Sequence, residues 1–170
     1  MKLLYSKEKI AARVKALAVE VKREYADKKD FLCVGVLNGA FMFYADFVRH
    51  LGDNAICAFI RLSSYEDSTT SSGRVRLIWD FTEEIMGKDI LVIDDICDSG
   101  HTLKYLRDYF LERGAKAVKV VCLLDKPKAR INAEKPDFAA FELEGDEFIV
   151  GYGLDDKRRY RNLDGVYVNK

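Results

Sequence analysis

No charge of either sign dominates this chain: Lys plus Arg and Asp plus Glu each number 28 in 170 residues. Without a global field there is nothing to gather nucleic acid or an anionic membrane surface, so a small-molecule ligand is favoured. Long apolar runs are missing as well. None reaches the roughly 18 residues that span a bilayer. Met1 to Tyr5 leads into a charged helix without a signal-peptide pattern, so a cytoplasmic protein with no membrane partner is expected. Histidine is scarce, at two, and Cys33, Cys57, Cys97 and Cys122 offer no CxxC spacing. This argues against a zinc site and reads as four reduced, buried thiols, with Cys97 the one nearest to chemistry. Internal repeats are absent, and the only low-complexity stretch follows Leu62.

What is present is apolar residues at 49%, ample for the core of one domain, and a repeated strand-turn-helix pattern. Ser6 can cap a helix whose apolar positions Ile10, Val14, Leu17 and Val21 keep helical spacing to about Asp27. Phe31 to Val36 is an unbroken apolar run, which suits a strand covered on both faces. Leu37-Asn38-Gly39-Ala40 turns it into a helix bearing Phe41, Tyr44, Phe47, Val48 and Leu51. Strands are expected at Ala55 to Leu62, at the alternating Val75, Leu77 and Trp79, and at Ala117 to Leu124. Between the first two lies a polar stretch from Ser63 to Gly73 with little to bury, either a plain connection or a mobile lid. Alternating strands and helices of this kind predict an α/β fold around a twisted, mostly parallel sheet.

The stretch Leu91 to Leu103, Leu-Val-Ile-Asp-Asp-Ile-Cys-Asp-Ser-Gly-His-Thr-Leu, organises the rest. Ile90 to Ile93 is a buried-strand run, and Asp94 and Asp95 follow it at the carboxyl edge of the sheet, where ligands bind in such folds. Asp98, Ser99, Gly100, His101 and Thr102 then supply an N-cap, a residue free to take positive φ and several outward backbone N–H groups at a helix start, a turn able to hold phosphate. Leu103, Leu106 and Phe110 continue the helix to Gly114, a plausible C′ residue. Paired acids beside an anion turn ask for a ligand with hydroxyls or metal at one end and phosphate at the other. Phosphorylated ribose fits.

The stretch resembles the phosphoribosyl diphosphate (PRPP) signature of type I phosphoribosyltransferases, in which apolar residues precede two acids, two spacers, Asp, Ser or Thr, Gly, any residue and Thr. Lys126, Phe148-Ile149-Val150-Gly151-Tyr152, Leu154-Asp155 and Arg161 narrow the resemblance to the hypoxanthine-guanine branch, and it covers the chain from about Tyr5 to Val168. It implies a single domain over residues 1–170, with a core at about 6–130, a small hood from the C-terminal part at about 131–170 and a lid at about 63–74. The implied activity is magnesium-dependent purine salvage, with transfer of phosphoribosyl from PRPP to N9 of hypoxanthine or guanine.

Carried over to these residues, the resemblance implies that Asp94 and Asp95 bind the ribose hydroxyls and help hold Mg²⁺, while Asp98 handles the proton at purine N7. Ser99, Gly100, His101 and Thr102 would grip the 5′-phosphate. Leu37, Asn38 and Gly39 would bind pyrophosphate through a cis Leu37–Asn38 peptide, with Arg161 beside them. Ser64 and Tyr65 would belong to the catalytic lid. Phe148 would stack on the purine, Lys126 donate to O6 and the Ile149 backbone read the ring edge, with Asp155 ligating a second Mg²⁺. Relatives usually associate, so a homo-oligomer, dimer or tetramer, is expected. Two departures stand out: Asn38 occupies a position that is usually basic, and Asp94 one that is often Glu. Rival readings are a PRPP-sensing module without catalysis and a phosphoacceptor receiver domain, but in the latter an acidic pair should follow the first strand.

Overall fold

The computed structural model describes residues 1–64, 75–80 and 82–169. The chain opens with β1 (Lys2–Tyr5), α1 (Lys7–Glu24), β2 (Phe31–Leu37) and α2 (Phe41–Val48). It continues through β3 (Ala55–Ser64), β4 (Val75–Trp79), β5 (Asp89–Cys97), α3 (His101–Glu112) and β6 (Ala117–Asp125). After a 3₁₀ turn at Pro127–Ala129 come β7 (Phe138–Glu142), β8 (Ile149–Val150) and β9 (Val166–Val168). The main sheet runs β4-β3-β2-β5-β6-β7, parallel throughout except for β4, which is antiparallel to β3.

The unbroken apolar runs are explained by two cores, one on each face. Phe31 and Cys33 of β2 with Leu91 and Ile93 of β5 join the cluster built around α1 and α2. Their neighbours Leu32, Val34, Ile90 and Val92 face the other cluster, with Leu103, Leu106 and Phe110 of α3. Side chains alternate along each strand, and because both faces are covered neither set is polar. Ser6 caps α1 by accepting from Lys9 N–H at 3.3 Å. The helix stops at Glu24, short of Asp27, with Tyr25 turned into the core to donate its hydroxyl to the Ile90 carbonyl. Gly114 takes φ +84°, and the bonds Gly114 N–H to Leu111 O and Ala115 N–H to Phe110 O close α3 in a Schellman arrangement.

Several expectations need correction. The hood is a three-stranded antiparallel sheet, β1-β9-β8, so the first residues belong to it. At its other end the hood is smaller than a start at residue 131 implies, because β7 pairs with β6 in the main sheet. Ser63 and Ser64 end β3, paired with Arg76 and Val75, instead of opening a loop. Tyr65 and the rest of the expected lid to residue 74 lie outside the described residues. All four cysteines are free, but Cys57 is exposed on β3 and only the other three are buried.

Gly35 marks the tightest packing in β2. A Cβ there would meet Tyr44 Cδ2 at 2.6 Å and Phe59 Cδ1 at 3.0 Å. Tyr44 cannot yield easily, since its hydroxyl donates to the Cys33 carbonyl at 2.9 Å. Gly35→Ala is therefore expected to destabilise the fold by about 1–3 kcal/mol, the usual range for overpacking. An unchanged midpoint in urea denaturation would show that the ring shifts freely.

Candidate active site

β2, β5 and β6 all end at one edge of the sheet, and the sequence-predicted site residues collect there. Asp94 and Asp95 lie within β5, near its C-terminal end, and Asp94 is the only charged side chain that is buried among the described residues. Asp94 Oδ1 accepts from Asp95 N–H at 2.9 Å, and Asp95 Oδ1 from Ile96 N–H at 3.0 Å. Burial, then the adjacent Asp95, push the Asp94 carboxyl well above the usual carboxylate range. Burial also raises Asp95, against hydrogen bonds and the positive charge of Arg161, which pull it down.

At the end of β2 the Leu37–Asn38 peptide is cis, as expected. The Asn38 side chain is exposed. Gly39 explains why the loop needs glycine: a Cβ on it would lie 1.8 Å from Asp95 Oδ2. On the other side a Cβ at Gly153, whose φ is +101°, would lie 2.1 Å from the Gly39 carbonyl oxygen. Carboxylate, loop and hood are stacked at glycine-only distances.

The turn after β5 follows its expected conformation with one change. Gly100 adopts φ +86° and is itself the N-cap of α3, with no side chain capping the helix, so the cap expected from Asp98 or Ser99 is not made. The first-turn amides keep their positive end of the helix dipole with only one long side-chain contact, from Ser99 to His101 N–H. Ser99 N–H bonds Asp98 Oδ1 at 2.5 Å, and His101 N–H reaches Ser99 Oγ at 3.5 Å. The Asp98 side chain is otherwise exposed.

A cavity of about 320 Å³ opens beside this turn and brings Asp95, Asp98, Lys126, Phe148, Ile149 and Asp155 together, with Ile96 and Leu154 as apolar lining. Lys126 follows β6 and donates from Nζ to the Glu147 carbonyl at 2.9 Å, next to Phe148, which is 55% exposed. Ile149, by contrast, is buried in β8. Asp155 is held by Arg161 at 2.7 Å and accepts from Arg158 N–H at 2.6 Å. Arg161 also donates to the Gly153 carbonyl at 2.5 Å. Among the described residues no three acidic, histidine or cysteine side chains are already gathered in a metal-binding set, so Asp94, Asp95 and Asp155 do not form one preassembled cage. Their donors are nonetheless all oxygen, the kind that Mg²⁺ takes.

Three comparisons bear on this arrangement. The model of the phosphoribosyl transferase domain matches residues 2–157. A hypoxanthine-guanine phosphoribosyltransferase of Bacillus subtilis is 47% identical over 169 residues, covering 99% of this chain and 93% of the relative. The chain belongs to the hypoxanthine-guanine phosphoribosyltransferase family. A Streptococcus agalactiae protein of the same name is 43% identical, with the same coverage. The crystal structure of a Bacillus anthracis hypoxanthine-guanine phosphoribosyltransferase superposes with a TM-score of 0.93 at 38% identity, covering 100% of this chain and 99% of that one. The mostly parallel sheet with its hood is thus the type I phosphoribosyltransferase fold.

Sequence reasoning missed parts of the phosphoribosyltransferase site that have no local signal. Arg130 sits in the run Lys-Pro-Lys-Ala-Arg, which looks like a solvated basic patch, yet its guanidinium turns inward to Asp125. Asn132 packs over Gly100, where a Cβ would meet its Oδ1 at 2.1 Å. Gly153 could have been flagged only with the approach of Gly39 in view.

The acidic pair gives a pH dependence of defined sign. Below the ordinary carboxylate range Asp94 is protonated whether the chain is folded or not, and contributes no pH-dependent term. As pH rises through the ordinary range toward the raised folded value, the unfolded chain ionises first and stability is lost. Asp94→Asn is expected to abolish this loss and raise the thermal midpoint of the ligand-free protein at neutral pH, by about 2–4 °C for each kcal/mol relieved. A midpoint unchanged or lowered at pH 7, or a variant with the same pH slope as the parent, would show that the pair is not strained by its charge.

Proposed function

We propose that this protein transfers the phosphoribosyl group of PRPP to N9 of hypoxanthine or guanine, giving IMP or GMP and pyrophosphate, in the cytosol and as a homo-oligomer. The observation that supports it most is the cavity that gathers Asp95, Asp98, Lys126, Phe148 and Asp155, with Asp98 immediately preceding residues 99–102 at the start of α3. The names of the relatives agree with this substrate pair.

In this reading Phe148 presents an aromatic face for the base to stack on, and the Lys126 ammonium, a donor only, bonds purine O6. The Ile149 backbone lies at the ring edge. Asp98, at the mouth of the turn, takes the N7 proton as the C1′–N9 bond forms and the bond from C1′ to pyrophosphate breaks. Ser99, Gly100, His101 and Thr102 hold the 5′-phosphate by N–H and hydroxyl groups at the start of α3. Asp94 and Asp95 bind the ribose hydroxyls, the backbone of Leu37, Asn38 and Gly39 binds pyrophosphate, and Arg161 lies close to both. Asp94 and Asp95, and Asp155 at a second position, would hold Mg²⁺. That ion would neutralise the leaving pyrophosphate. Two carboxylates pushed up by burial, Asp94 also by the adjacent Asp95, suit a dication, which brings the opposite charge.

Incubation with PRPP, Mg²⁺ and each purine base should yield IMP and GMP, and omission of Mg²⁺ should abolish them. Nucleotide from no base would refute transferase activity. Asp98→Asn is expected to lower kcat by about 10² to 10⁴ with the fold intact, the range for loss of a positioned proton acceptor. A variant within threefold of the parent, by the same steady-state assay, would remove Asp98 from the proton transfer.

Base choice rests on Lys126. Adenine presents an N6 donor to the ammonium, and a site built for one hydrogen-bonding group can reject the mismatch by about 10⁴ to 10⁵ in kcat/KM. Lys126→Ala should lower kcat/KM for hypoxanthine by about 1.5–3 kcal/mol, the worth of a charged hydrogen bond, and narrow the gap to adenine. Efficient adenine turnover by the unmodified protein would overturn the 6-oxopurine assignment and leave PRPP binding standing.

A further inference from the structure

Residues 126–132 follow the turn after β5 step by step. Lys126 N–H bonds the Cys97 carbonyl at 2.8 Å, and Ile131 N–H bonds the Ser99 carbonyl at 3.2 Å. Between them Arg130 reaches the Asp98 carbonyl with Nε at 3.3 Å and the Cys97 carbonyl with Nη2 at 3.4 Å, while pairing with Asp125. Asn132 then closes over Gly100. The ion pair is nearly sealed, with side-chain exposures of 11% for Arg130 and 15% for Asp125. Every carbonyl from Cys97 to Ser99 is thus taken up on one side.

A trans peptide points its C=O and the next N–H in opposite directions. Carbonyls of Cys97, Asp98 and Ser99 tied to residues 126–131 therefore turn the N–H groups of Asp98, Ser99 and Gly100 away from that segment. One of these, Ser99 N–H, bonds the Asp98 carboxylate. The peptide that Arg130 grips by its oxygen is the peptide that orients Asp98 by its nitrogen.

We propose that Arg130 is a positioning residue for the transfer: its fork fixes the Cys97–Asp98–Ser99 backbone and so aims both Asp98 and the phosphate-binding amides. This rests on the function inferred above. A planar guanidinium can serve Asp125 and two carbonyls at once, whereas a lysine offers one compact charge on a flexible stem. Asp125 needs only the charge. The turn needs the fork.

The two requirements separate by substitution. Arg130→Lys keeps a cation for Asp125 and loses the fork; Asp125→Asn with Arg130→Met removes both charges and leaves neither unpaired. The ratio of affinities for IMP over inosine, by calorimetry, isolates what the turn contributes to the 5′-phosphate. For both variants, with thermal unfolding still cooperative, that ratio is expected to fall about tenfold, the loss of roughly one charge-assisted bond. The KM for PRPP should rise as kcat falls. Should the lysine variant not fold, the double variant carries the comparison. A parental ratio in either variant would overturn the proposal, since Arg130 would then only neutralise Asp125. If the unmodified protein binds IMP no tighter than inosine, the phosphate-turn reading itself fails and Arg130's role with it; a parental preference kept by the variants sinks the Arg130 proposal alone.

Discussion

Two carboxylates side by side at the end of a strand covered on both faces set the terms for everything near them. Their ionisation is opposed by burial, and that of Asp94 also by Asp95, while within the described structure the cation that acts on Asp95 is Arg161, from the far end of the chain. The backbone supplies the remaining support through the N–H groups of Asp95 and Ile96. On the proposed function the substrate would bring a cation to this pair. Buried carboxylates cost stability, and a ligand that carries its own positive charge gains binding energy from them.

The acidic pair also explains the glycines. Asp95 reaches far enough toward the β2 loop that only Gly39 fits beneath it, and Gly39 in turn leaves room only for Gly153. The hood is thereby brought against the β2 loop and the Asp95 carboxylate, not merely over the end of β6. Its attachment is reinforced by the Tyr152 hydroxyl, which donates to Asp46 of α2 at 2.7 Å, and by the stacking of Tyr5 on Phe141, with ring centroids 4.0 Å apart. Since β1 supplies one of the hood's three strands, both ends of the chain close over the same sheet edge.

Much of this was legible in the sequence, and the parts that were not share a physical reason. Ile90 to Ile93 and Phe31 to Val36 announced strands covered on both faces, Ser6 and Gly114 announced helix ends, and Asp98 to Thr102 announced the turn from strand to helix, because each signal is local. β1 carries no such signal. Four residues with no periodicity become a strand only because Val166 to Val168 lies beside them, some 160 residues away in the chain. Cys57 looked buried because its strand is apolar, but β3 is covered by the short, twisted β4 for only part of its length. Arg130 gave no signal because Asp125 and the Cys97 and Asp98 carbonyls meet it only in the fold. Contacts between backbone and a distant side chain are the class of interaction that a single sequence conceals.

The resting state of Lys126 bears on how bases are told apart. Its ammonium bonds the Glu147 carbonyl, adjacent to the residue expected to stack on the purine, so base binding exchanges one carbonyl oxygen for another or adds a second acceptor to a group with three donors. For a 6-oxopurine the ammonium can keep the Glu147 carbonyl and gain O6, so the charged bond adds to stacking and to contacts at the ring edge. For a 6-aminopurine the same step sets an ammonium against a donor inside a partly enclosed cavity, where the repulsion is weakly screened. On the proposed function, discrimination of this kind combines attraction to the right base with a penalty against the wrong one, and a lysine held in place by a main-chain oxygen would contribute to both.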